Sequence, residues 1–173
     1  MKLEKKDRLI FANQYRILEL LDKQNASEHQ KHREVVEGGF EGLYDDILGQ
    51  VIDEDTVTEA ECNEIIDTLS MFRALKQSFA KLDDTSGIDE YRIKFDGYDG
   101  NDETKFMAFA RFFCERLGRF EELEKGDRFN SHCPMRPVYN RMRSVWNSFP
   151  SDAKSNISKS QIRDIAAAAA SPK

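Results

Sequence analysis

The chain has 173 residues, 39% hydrophobic and 34% charged, and its 26 basic against 32 acidic residues give a net charge of −6. That length supports one ordinary domain, 1–173, or at a stretch two small ones, with the single domain preferred, and the apolar content suffices for a core, which excludes an intrinsically disordered class. No apolar run reaches the roughly 20 residues of a membrane span, Met1 to Asp7 is too polar for a signal peptide, and an acidic balance argues against wholesale nucleic-acid binding.

In chain order, Ile10, Phe11, Tyr15, Ile17, Leu18 and Leu21 recur at helical spacing, so a helix over about 8–21 is expected to bury that face. Ser27-x-x-Gln30 has the form of a capping box and Gly38-Gly39 that of a left-handed stop, which predicts a short helix over 27–37. Phe40, Leu43, Tyr44, Ile47, Leu48 and Val51 then predict another helix. Acidic Asp53, Glu54 and Asp55 lead into two overlapping capping boxes, Thr56-x-x-Glu59 and Thr58-x-x-Glu61. The long helix that follows carries Ile65, Leu69, Phe72, Leu75 and Phe79 and runs to Leu82.

Periodicity stops between Asp83 and Gly100, where Tyr91 to Phe95 alternates as one short extended segment would. An aromatic helix follows, with Phe106, Phe109, Ala110, Phe113, Leu117 and Phe120 on its face, and Phe113 is expected in the core. Glu124 to Pro137 reads as loop, Pro137 suits the first turn of a helix through Val145 and Trp146, and Ser158-x-x-Gln161 opens a terminal helix with an alanine-rich, frayed end at 167–173. The fold class is therefore all-α, a single multihelical domain of about seven helices.

Candidate sites are few. The loop Asp96 to Glu103 lacks the ligand positions of a calcium-binding loop and reads as helix capping by Asp99 or Asn101. His29 and His32 share a helix face but have no ligand partners at a recognisable spacing, which predicts a solvated polar face. Cys62, Cys114 and Cys133 match neither a disulfide framework nor a zinc site. No metal, cofactor or catalytic set is expected, and the balance leans away from an enzyme. The one asymmetry is electrostatic: between Arg128 and Arg163 seven basic residues face only Asp152, giving +6 and leaving −12 elsewhere. Arg128, Asn130, His132, Arg136 and Arg141 are the candidate contacts for an anion or an acidic partner. The competing reading has this segment docking on Asp45, Asp46, Asp53, Glu54 and Asp55 of the same chain or of a second subunit.

The blocks Arg8-Leu9-Ile10 with Asn13-Gln14-Tyr15, Ile65-Ile66-Asp67, Phe95-x-Gly97-Tyr98-Asp99, Gly118-Arg119-Phe120, Phe129-Asn130, Pro134-Met135 and Tyr139-x-Arg141-Met142-x-x-x-Trp146 resemble those of the YfbU family of bacterial proteins over roughly residues 7 to 166. The resemblance implies an all-helical cytoplasmic protein open to oligomerisation, from a family with no catalytic residues to carry over. Two functions follow as expectations. The first is a non-enzymatic homo-oligomeric interaction or regulatory protein. The second is an anion- or nucleic-acid-binding protein, or a phosphoester-processing enzyme, that uses the basic segment.

Overall fold

A computed structural model describes residues 2–48, 56–123 and 127–170, and among these it has seven α-helices and no strand. They are α1 (Lys5–Leu21), α2 (Ala26–Gly38), α3 (Tyr44–Leu48), α4 (Glu59–Phe79), α5 (Thr104–Arg111), α6 (Arg136–Asn147) and α7 (Lys159–Ala168). The all-α class expected from the sequence is the class observed. The chain divides into two compact units, Met1–Asp55 and Thr56–Lys173.

The first unit is a helical hairpin of α1 and α2 with α3 beside it. Asn25 Nδ2 donates to Asp22 Oδ2 at 2.9 Å, which closes the connecting turn early. Helix α2 consequently begins at Ala26, Asn25 takes the cap position, and Ser27 falls inside the first turn rather than capping it. Gly39 ends α2 at φ +69°, the left-handed stop expected there. Where one continuous helix was expected from Phe40, a 3-10 turn over Glu41–Leu43 precedes α3; Val51 lies outside the described residues. Ala12, Val36 and Tyr44 are buried, with Leu3, Phe11, Tyr15, Val35 and Ile47 against them.

This seam overturns two expectations. His29 and His32 do share a face, but they lie half-buried against the Tyr15 ring, with centroids 6.5 and 5.3 Å away, rather than in solvent. More consequentially, α1 does not bury the face expected of it. Ile10, Ile17, Leu18 and Leu21 stay exposed, as do Leu9 and Leu20, and the inward positions belong to Phe11, Ala12 and Tyr15.

The second unit is built on α4. Thr58 Oγ1 accepts from the Glu61 N–H, and the Glu61 carboxylate accepts from the Thr58 N–H at 3.0 Å, so of the two overlapping boxes the second one forms. Ile65, Leu69, Phe72 and Leu75 project into the core. Tyr139 of α6 meets Phe72, Phe95 and Tyr98 at ring distances of 5.1, 5.6 and 5.6 Å. Its hydroxyl accepts from the Asp96 N–H, and burial pushes its pKa up. The alternating segment at 91–95 is a 3-10 turn over Glu90–Ile93 followed by an extended step at Lys94, because the Asp89 side chain accepts from the Tyr91 N–H and winds the chain.

Helix α5 continues as a π-turn over Phe112–Arg116, and this wider turn shifts the helix phase. Phe106, Ala110 and Cys114 become the inward positions, Phe112 and Leu117 turn outward, and Phe113 is half-buried against Phe109 and Phe120 instead of central. Ser158 and Gln161 form the capping box of α7. The alanine-rich end is held as far as Ala169, because Arg141 donates to the carbonyls of Ala168 and Ala169; residues 171–173 lie outside the described range.

Candidate functional site

Two places concentrate unusual local structure. The first is where residues 96–103 meet 127–136 in the second unit. Gly97 sits at φ +96°, and a Cβ there would stand 2.0 Å from the Phe129 carbonyl oxygen, so only glycine lets the two segments touch. Tyr98 then donates its N–H to Phe129 and accepts from the Ser131 N–H, at 2.9 and 3.1 Å. Asn130 Oδ1 accepts from the N–H groups of Gly100 and His132, both at 3.0 Å. Arg128, Phe129 and His132 hold positive φ of 52°, 68° and 57°. Such strain persists only where the surroundings enforce it, and it marks a segment as a candidate for function.

Buried Glu103 is the centre of this knot. Its carboxylate accepts from the N–H groups of Asp99, Met135 and Arg136 at 3.1, 3.0 and 2.7 Å, and so supplies the negative charge that the start of α6 favours. Asp99 accepts from the Asn101 and Asp102 N–H groups at 2.6 and 2.9 Å. Those bonds, Asp102 first, hold its carboxyl below the usual carboxylate range and wind the turn ahead of α5; the cap position of that helix is Glu103, without a side-chain cap bond, so neither Asp99 nor Asn101 caps it as expected. Arg136 makes a two-pronged pair with Glu64, Nε to Oε1 at 2.8 Å and Nη2 to Oε2 at 3.0 Å, with its guanidinium 4.3 Å over Phe106. The Glu64 bonds raise its pKa.

The five predicted contact residues therefore separate. Asn130 and Arg136 belong to the knot and hold the chain to itself, and Arg141 caps α7. His132 is exposed and pairs through Nε2 with Asp127 at 2.9 Å, while the Cys133 thiol faces Met135. Arg128 is exposed beside them. Of the other bases in the segment, Arg143 reaches Asn140 and Glu64, Lys154 reaches Asn147, and Lys159 reaches Asp84. Among the described residues, Glu64, Glu103, Asp84 and Asp127 of its own unit hold parts of this basic segment; Asp53, Glu54 and Asp55 lie outside the described residues. Among the described residues no group of three His, Cys, Asp or Glu side chains could hold a metal ion, and no helix is long and apolar enough to cross a membrane. A slot of about 200 Å³ floored by Phe72, Phe79, Ile93 and Phe95 has Lys76 and Lys94 at its rim, but the first donates to the Glu122 carbonyl and the second pairs with Glu90.

The second place is the outer side of α1. Leu9, Ile10, Ile17, Leu20 and Leu21 are 62%, 44%, 54%, 64% and 76% exposed. At 3.6 residues per turn they cover an arc of roughly 120° centred opposite the Tyr15 side. Sequence reading named Ile10, Ile17 and Leu21 but assigned them inward, and it passed over Leu9 and Leu20. The available signal was the width of the apolar arc, which exceeds what one helix can press against one neighbour.

Comparison with known proteins gives a uniform result. The YfbU domain model matches residues 1–168. A UPF0304 protein of Methanocaldococcus jannaschii is 37% identical over 169 residues, covering 94% of this chain and 98% of the relative. A UPF0304 protein of Pasteurella multocida is 34% identical over 166 residues, covering 95% and 98%.

Proposed function

The chain belongs to the YfbU family, and from that premise we propose that it works as a non-enzymatic, homo-oligomeric interaction or regulatory protein of the cytoplasm, with residues 1–173 acting as one functional domain. The observation that carries this reading is the apolar outer stripe of α1, because a soluble monomer rarely leaves a contiguous apolar surface of this extent in water. The family match spans both compact units, which supports treating them as one working piece. The polar knot supports the non-enzymatic part: Glu103, Asn130 and Arg136 spend their polar atoms on backbone groups and on Glu64, leaving them committed to structure rather than aimed at a substrate.

Sedimentation velocity of the intact chain at micromolar concentration tests it. A dimer or larger species is expected, and Leu9→Ser with Leu20→Ser should move the chain to monomer while leaving its helical content unchanged. A monomeric wild type whose sedimentation the double substitution does not alter would refute the proposal.

A further inference from the structure

Resting on the oligomer reading above, we propose that the α1 stripe is covered by the α1 stripe of a second copy, laid antiparallel about a two-fold axis beside residue 15. Ile10, Asn13, Ile17 and Leu20 follow at steps of three, four and three, the spacing of a helix–helix seam, and Leu9 and Leu21 form its two shoulders.

The stripe is symmetric about its own middle. Leu9 and Leu21 stand six residues either side of residue 15, Ile10 and Leu20 five, and Asn13 and Ile17 two. An isologous contact requires this property, since one patch must match itself after a half-turn. In an antiparallel pair each shoulder faces the same shoulder of its mate. Leu9 therefore meets Leu20 of the second copy on one side, and Ile10 meets Leu21 on the other. A groove of about 320 Å³ with Leu9, Ala12 and Val36 in its lining and the charged Lys5, Arg8, Arg16 and Glu37 around them runs along the first shoulder, beside the place Leu20 of the second copy would take.

Charge selects the orientation. Exposed Lys6 lies on the seam line one turn before Ile10. A parallel pair would bring two Lys6 ammonium groups together beside two positive helix ends, whereas the antiparallel pair separates them by roughly 27 Å and opposes the helix dipoles. Area is sufficient as well. The five exposed apolar residues offer roughly 500 Å² per copy, so about 1,000 Å² per pair, the size at which a contact qualifies as a specific interface. Helix α1 then sits between α2 of its own chain and α1 of the other.

The test uses the full chain carrying Cys133→Ser, which removes the exposed native thiol. Ile10→Cys and Leu21→Cys are introduced singly, and each protein, and their equimolar mixture after subunit exchange, is treated with a bismaleimide of two-carbon spacer. The mixture should give a cross-linked dimer and neither protein alone should, because the two copies of residue 10 are roughly 15 Å apart along the axis. Cross-linking of Ile10→Cys with itself would show parallel pairing. A dimer by sedimentation with no cross-link in the mixture would place the contact on another surface. Either result overturns the antiparallel stripe while leaving the oligomer standing. A monomer by sedimentation overturns both, and that includes the case in which a different protein covers the stripe.

Discussion

In residues 56–173 the large side chains turn inward, and in residues 1–55 many turn outward. Among the described residues eleven large apolar side chains are exposed, and eight of them lie in the first unit, although it is by far the shorter one. The second unit wraps α4 with α5, α6 and α7, so its apolar faces find neighbours on several sides. The first has one hairpin seam, and one seam can cover only one side of α1. The difference teaches that amphipathic spacing reports how much apolar surface a helix carries, while the number of neighbours decides how much of it becomes core.

Substitutions can break or sharpen this contrast. The largest effect belongs to Phe72→Ala, which empties a fully enclosed site among Phe95 and Tyr139 and is expected to cost about 3–5 kcal/mol in chemical denaturation; a loss below about 1 kcal/mol would show that the aromatic cluster yields. Next, Glu103→Gln places an amide donor against the backbone donors that a carboxylate accepts from. Urea titration should show a loss of about 1–3 kcal/mol. Phe113→Ala removes a half-buried ring at the edge and should cost about 1–2 kcal/mol, short of the full-burial range. Leu20→Ser, made on the exposed stripe, should shift unfolding by within about 0.5 kcal/mol at concentrations low enough to keep the chain monomeric. A larger loss there would mean that the stripe is buried within the chain, and the contrast would fail.

The mildest effect is with pH. The Thr58 N–H, and then Lys105, hold the Glu61 carboxyl below its ordinary value; Lys159, and then Ser86, do the same for Asp84. A carboxyl whose pKa is lower folded than unfolded contributes stability above its unfolded value, near 4, and loses it as pH falls through the folded one. Tm should therefore hold from pH 7 to about 5 and decline below about 4, and Glu61→Gln should make that decline shallower.

Much of the helical plan was legible because its signals are local. The Thr58 and Ser158 boxes, Gly39 and Pro137 act within a turn of themselves, and they set helix ends where expected. What was not legible depended on distant partners or on a change of period. Nothing near Phe113 announces the π-turn that hands the core position to Cys114. Charge counting found the basic segment but could not reveal that Glu64, more than sixty residues upstream, occupies Arg136, or that Arg141 closes α7. At Ser27 the capping pattern was real in sequence, and Asp22 and Asn25 pre-empted it.

The outward stripe of α1 also has a consequence in time. Synthesis delivers the first 55 residues before the other unit exists, and at about 5–20 residues per second the rest of the chain takes on the order of ten seconds to follow. A hairpin formed in that interval would present the five large aliphatic side chains of the α1 stripe before the second unit is complete. Neighbouring ribosomes on one message carry further copies of the same segment, so the α1–α1 contact proposed above would have its partner at hand as synthesis proceeds.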